Sequence, residues 1–172
     1  MKKILVLTAL ISFATFNVAR AQTPDPDTTA LHFIIQAGIG NLQEVSAGTL
    51  AAQKASKSEI KMFGQHMVTD HTKTQDALLQ LAKARGYQVP PPATGQVVPD
   101  AGLTKATGKE FDRLYGHMMA AGHRQTVLMY QTYAVNGKDP AVKAFAAQTL
   151  PSLKEHLNMI TAIDNQLKDA AK

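Results

Sequence analysis

The stretch YQVPPPATGQVVPDAGLT, residues 87–104, decides how the chain folds, because helical patterning stops there and resumes beyond it. It holds Pro90, Pro91, Pro92 and Pro99 together with Gly95 and Gly102. Proline lacks a backbone N–H and clashes with the preceding turn, and glycine loses the most conformational freedom on ordering. The segment is therefore expected to lack regular structure and to serve as one long connection.

On its N-terminal side, Thr28 to Ser56 has no Pro and places Leu31, Ile34, Ile35, Gly38, Leu42 and Val45 at helical spacing, which predicts a first helix. Ser56-x-x-Glu59 reads as a capping box for a second helix. That helix runs to Arg85-Gly86 with Ile60, Phe63, Met67, Thr74, Leu78 and Leu81 on one face. The two are nearly joined by a tight turn and should pack antiparallel. On the C-terminal side, Thr107-x-x-Glu110 can cap a third helix bearing Phe111, Leu114, Tyr115, Met118, Gln125 and Met129, and Asn136-Gly137 ends it. Asp139-Pro140 opens a fourth, with Val142, Phe145, Thr149, Leu153, Leu157, Ile160 and Leu167 inward and a bend expected at Pro151. No strand pattern or short repeat interrupts this sequence of elements. The expectation is an all-α four-helix bundle: two hairpins of helices about 40 Å long, joined by the Pro/Gly-rich connection.

The first 21 residues stand apart. Lys2-Lys3, an apolar run from Ile4 to Phe16 and Ala19-Arg20-Ala21 form the three parts of a secretory signal, so the mature chain is expected to begin at Gln22 and occupy residues 22–172 as one bundle domain. The apolar run has 13 residues, and a spanning helix needs about 20. An exported, periplasmic address follows, with peripheral attachment to the envelope still open. The leader also explains the charge: of the formal +5, Lys2, Lys3 and Arg20 belong to it, and the remainder carries 15 basic against 13 acidic residues, a net +2. That balance, without a basic stripe, argues against nucleic acid as a partner. With no Cys among 172 residues, disulfides, thiolate nucleophiles and thiolate metal sites are excluded. Any metal must be held by His, Asp and Glu.

At about 100° per residue, His32, Gln36, Gln43 and Lys54 mark the polar side of the first helix, and Glu44 falls outside it beside Phe33, Ala37 and Ala51. On the second helix His71 lies beside Ile60, Gly64 and Leu78, with Asp70 flanking the stripe; on the third His123 lies alongside Met119, Tyr130 and Asp112; on the fourth His156 shares the stripe with Leu153, Ile160 and Ile163. Each helix thus offers one inward candidate: Glu44, His71, His123 and His156. At 1.5 Å per residue they stand within about two turns of one height. This holds whether the bundle runs up-down-up-down or the long connection crosses it lengthwise. Three imidazoles and a carboxylate can complete a tetrahedral set for one divalent transition metal such as zinc, copper or iron, in a storage, buffering or stress role. The competing reading is a structural His/Glu hydrogen-bond network in a non-enzymatic envelope protein. Asp70 and Asp112 are expected at most to orient an imidazole, and His32, His66 and His117 to be mostly solvated.

A di-iron carboxylate centre needs Glu-x-x-His on two helices. Glu44, Glu59, Glu110 and Glu155 are instead followed at the third position by Ala47, Met62, Arg113 and Asn158, which leaves a mononuclear oxidoreductase as the enzymatic alternative. No G-x-S-x-G supports a serine hydrolase. Gly38-Ile39-Gly40 has no third glycine and sits inside a helix, so no dinucleotide or other organic cofactor is expected. These glycines, with Ala37, Ala47 and Gly48, should let another helix approach closely. Met62, Met67, Met118, Met119, Met129 and Met159 are scattered and read as packing.

Four motifs carry a family resemblance: Phe33 to Ala51 around Glu44, Met67-x-x-Asp70-His71, Phe111-Asp112-x-x-Tyr115-x-x-x-Met119-x-x-x-His123, and Leu150-Pro151-x-Leu153-x-x-His156-Leu157. From about Thr28 to Leu167 the chain resembles a bacterial family of exported, ferritin-like helical proteins catalogued as a domain of unknown function and often labelled as outer membrane proteins. The resemblance implies a ferritin-like bundle and places the family's recurrent polar positions on Glu44, His71, His123 and His156. It implies no activity, and the chain has none of the alternating strands of an outer-membrane barrel.

Overall fold

The computed structural model describes residues 28–170, and the expected leader, residues 1–21, lies outside them. Its helices are α1 (Thr28–Lys54), α2 (Ser58–Ala84), α3 (Ala101–Lys105), α4 (Gly108–Asn136) and α5 (Pro140–Asp169). The four long ones are the expected two hairpins. Asp139 caps α5 as anticipated, accepting from the N–H groups of Ala141 at 2.9 Å and Val142 at 3.3 Å, with Pro140 in the first turn. The same carboxylate accepts from Arg85 Nε at 3.0 Å and Tyr87 Oη at 2.9 Å, which ties the end of α2 to the start of α5. Pro151 lies within α5 without ending it.

Neither capping box forms. Lys57 and Thr107 flank α2 and α4 without side-chain capping bonds. The turn leading into α2 is held from across the bundle: buried Asp112 of α4 accepts from the N–H of Ser56 at 2.9 Å, the N–H of Lys57 at 3.0 Å and the Ser56 hydroxyl. A carboxylate is a strong acceptor, so it draws the Ser56 hydroxyl away from the local box.

Contacts between helix ends settle the topology. Ala55, just past α1, pairs with Gly108 at the start of α4 in an isolated parallel bridge. At the other end Phe33 of α1 stacks on Tyr133 of α4, ring centroids 4.4 Å apart, and meets Tyr130 edge-on at 4.9 Å. Helix α1 is therefore antiparallel to α4, α2 to α5, and the connection must return along the whole bundle. Of the two arrangements compatible with the sequence, the lengthwise crossover is the one adopted. The crossing segment is anchored by buried Ala93, whose carbonyl accepts from Gln75 Nε2 at 2.7 Å, and by buried Leu103. Against expectation, residues 101–105 form a helical turn, because Asp100 caps it through the Leu103 N–H at 2.8 Å and Leu103 gives it something to bury. Lys54 Nζ donates to the carbonyls of Leu103 and Thr104 and sits 5.7 Å over the Phe111 ring.

The buried faces of α1 and α4 are rotated from the expected stripes. Helix α1 buries Phe33, Ile34, Ala37 and Ala51, leaving Leu31, Ile35, Leu42 and Val45 half-buried; α4 buries Phe111, Tyr115, Met119, Ala120 and Tyr130, while Gln125 is exposed. Small residues set this register. A Cβ on Gly48 would lie 2.6 Å from the Gly64 carbonyl oxygen, and one on Gly64 would lie 2.7 Å from Ala51 Cβ, so α1 and α2 touch backbone to backbone. Gly38 approaches Ala93 in the same way, but Gly40 faces open space and fits no helix contact. The core falls into two clusters, one around Phe63, Phe111 and Ile160 and one around Phe33, Leu78 and Tyr130. On each long helix, the positions between the stretches given to these clusters carry buried polar side chains.

Candidate metal centre

Those positions are Asn41 and Glu44 on α1, His71 and Gln75 on α2, His123 on α4 and His156 on α5. The four inward residues expected from the wheels are all buried; the tertiary structure brings the three histidines together and sets Glu44 against His71 and His123. Ring centroids of His71, His123 and His156 are 5.4 to 5.8 Å apart pairwise. One nitrogen from each lies within 4.8 Å of those from the other two. Glu44 Oε2 is 2.7 Å from His71 Nε2 and its Oε1 is 3.4 Å from His123 Nδ1.

Each ring commits one nitrogen to an oxygen outside the cluster. His71 Nδ1 is 3.0 Å from Asn41 Oδ1, His123 Nδ1 is 3.0 Å from the Met119 carbonyl, and His156 Nε2 is 3.1 Å from Asp70 Oδ2. All three partners are acceptors, so each fixes a tautomer with the proton on the committed nitrogen. The opposite nitrogens, His71 Nε2, His123 Nε2 and His156 Nδ1, are buried without a hydrogen-bond partner. His71 Nε2 stands at ion-pair distance from Glu44 but lacks hydrogen-bond alignment. The two nitrogens with nothing facing them, His123 Nε2 and His156 Nδ1, are costly unless something takes them up.

Burial disfavours the charged forms of His123 and His156, and the Glu44 carboxyl beside them is held ionised. Burial alone would raise the Glu44 pKa, but the adjacent His71 and His123, with His156 further off, outweigh it and hold the carboxyl below its ordinary range. Burial lowers His123, opposed by Glu44 and reinforced by His71. Burial likewise takes His156 down to about 4, opposed by its bond to Asp70 and reinforced by His71, His123 and His66. Neutral imidazole and charged carboxylate are the ligand forms a divalent cation requires.

Asp70 does orient an imidazole, that of His156. Asp112 does not, being spent on the turn leading into α2 at the end of the bundle. His32 and His117 are exposed as expected. His66 is less free than expected, with its Nε2 3.3 Å from Asp70 Oδ2 and its ring 5.0 Å from that of His156. The wheels missed Asn41 and Gln75, which form a relay behind His71: Asn41 Nδ2 donates to Gln75 Oε1 at 3.1 Å, and Gln75 passes on to Ala93. Their signal was present in the spacing, Asn41 three residues before Glu44 and Gln75 four after His71. A groove of about 620 Å³ between α1, α4 and the crossing segment reaches Glu44; Gln43, Val98, Met118, Met119 and Gly122 help line it.

Fold and site together define an all-helical bundle with a buried layer of three histidines and one glutamate. The chain belongs to the DUF4142 family, a domain of unknown function whose model matches residues 16–163. The crystal structure of a candidate secreted DUF305 protein from Streptomyces coelicolor has the same fold, with a TM-score of 0.66 at 14% identity over 79% of this chain and 90% of that one. No curated protein matches the chain.

Proposed function

We propose that this protein is an exported, ferritin-like bundle that holds one divalent transition metal ion, zinc, copper or iron, between His71 Nε2, His123 Nε2, His156 Nδ1 and the Glu44 carboxylate. The observation that carries this is the pair of buried, unpartnered nitrogens His123 Nε2 and His156 Nδ1 in one layer with His71 Nε2 and the Glu44 carboxylate 2.7 Å from it, the opposite nitrogen of each ring being held by an oxygen acceptor. That is the way metal-ligating imidazoles are oriented by their outer partners. The ion's chemistry would be that of a Lewis acid or a stored cation. The chain's own contribution is to orient the imidazoles and to pack apolar clusters on both sides of their layer. Export to the periplasm rests on the leader pattern in residues 1–21, and no helix of the described residues is long and apolar enough to cross a membrane.

A metal-free structural network is the second reading, and the 2.7 Å approach of Glu44 to His71 favours it. It leaves His123 Nε2 and His156 Nδ1 unexplained. Thermal denaturation separates the two. The ligands converge only on folding, so an ion at about a hundred times its Kd adds about 2.7 kcal/mol. For a chain of this size that is a rise of roughly 5–10 °C in Tm. His156→Ala should lose most of the rise, and exposed His32→Ala should keep it. If Zn²⁺, Cu²⁺, Fe²⁺, Mn²⁺, Co²⁺ and Ni²⁺ all leave the Tm of chelator-treated protein unchanged, the metal reading is wrong and the network stands.

A further inference from the structure

We propose that His66, Asp70 and His156 form a second, solvent-facing site on which a divalent transition ion lands before it reaches the core; the hand-over rests on the core reading, while the landing site can be tested without it. One ligand atom from each of these residues lies within 4.8 Å of the other two. His66 and Asp70 are four residues apart on α2, so one turn stacks them on the same face. Asp70 Oδ2 stands 3.3 Å from His66 Nε2 and 3.1 Å from His156 Nε2, a carboxylate oxygen between two imidazole nitrogens from different helices. Exposure falls along the set, from 42% for the His66 side chain to 29% for Asp70 and 3% for His156. An ion held there keeps positions open to water, as a port does and a closed structural site does not.

His156 belongs to both sets and offers each a different nitrogen. Its Nε2 faces Asp70, and its Nδ1 is buried and unpartnered. A neutral imidazole has one lone pair and one N–H, so it can ligate through only one nitrogen at a time. The landing site and the core site are therefore mutually exclusive at His156. When an ion leaves Nε2 for Nδ1, the ring gives up the Nδ1 proton and takes one at Nε2, where Asp70 accepts the hydrogen bond. The ring's charge is the same before and after, and the protein holds one ion tightly at two successive positions. The groove that reaches Glu44 between α1 and α4 is the rival route.

The experiment is rapid mixing of Co²⁺ with chelator-treated protein, read by the visible absorption of the bound ion. His66→Ala removes a half-exposed ring outside the core and should slow loading roughly tenfold while leaving one ion bound at the end. Gly122→Leu, whose side chain enters the open groove, should load at the wild-type rate. Wild-type loading by His66→Ala, or slow loading by Gly122→Leu, would overturn the proposal. His123→Ala removes a core ligand and none from the landing set. It should retain weak Co²⁺ binding that the double variant with His66→Ala loses. If His123→Ala binds no Co²⁺, the landing site is refuted even where the core site survives; if it binds while the wild type gains no closed site, the core reading fails alone.

Discussion

Replacing Asp112 by Ala tests how the two hairpins are fastened, and it separates structural from site-orienting carboxylates. Asp112 is 1% exposed and takes three hydrogen bonds, from the N–H groups of Ser56 and Lys57 and from the Ser56 hydroxyl. A hydrogen bond to a charged group contributes about 1.5–3 kcal/mol, so three at the lower end would give roughly 4–5 kcal/mol. Ser56 and Lys57 are themselves exposed, and water can recover part of that once the carboxylate is gone. The expected loss is about 3 kcal/mol, which at roughly 2–4 °C per kcal/mol lowers Tm by about 6–12 °C. Asp112→Asn keeps one acceptor oxygen and should fall between. The assay is thermal melting by far-ultraviolet circular dichroism, with and without metal. Because Asp112 holds the α1–α2 turn far from the histidine layer, the metal-dependent rise should survive both substitutions. A fall in Tm below about 1 °C in the Ala variant would refute this account of the turn. A metal increment lost along with stability would instead put Asp112 back beside an imidazole.

Two further outcomes follow from the packing and the charges. Gly64→Ala should destabilise by about 1–3 kcal/mol, because its Cβ would meet Ala51 Cβ at 2.7 Å and the Gly48 carbonyl at 2.8 Å; Gly40→Ala meets nothing within 4 Å and should stabilise by about 0.5–1 kcal/mol, and like signs in denaturant titrations would refute the register of α1 on α2. Chelator-treated protein should lose stability as pH falls from 6.5, the ordinary histidine value, towards about 4, the value to which burial takes His156. In that window the unfolded chain binds a proton that the folded one refuses. Discounted for water reaching the Asp70 side, His156 accounts for about 1–2 kcal/mol of this loss, and a flat Tm across the window would contradict a neutral buried imidazole.

The sequence by itself determined the four long helices and the inward positions of Glu44, His71, His123 and His156. Helical spacing, Asn136-Gly137, Asp139-Pro140 and the proline-rich stretch are local signals, and local backbone physics reads them directly. The inward placement of Glu44, His71, His123 and His156 followed from angle and rise along single helices, quantities that tertiary contacts scarcely alter. What only the tertiary structure decided involves partners distant in the chain. Asp112 engages Ser56, which the sequence offered to a local capping box with Glu59, because it arrives from α4, 56 residues from Ser56. Helix α1 turned by part of a face because Gly48 and Gly64 allow backbone contact with α2, which a count of apolar residues does not register. The tautomers of the three histidines were fixed by Asn41, the Met119 carbonyl and Asp70. The crossover direction was open for the same reason: a connection of this length can turn back or run the length of the bundle. The choice was made by Ala55 beside Gly108, Arg85 on Asp139 and Phe33 on Tyr133, contacts that exist only once both hairpins are docked.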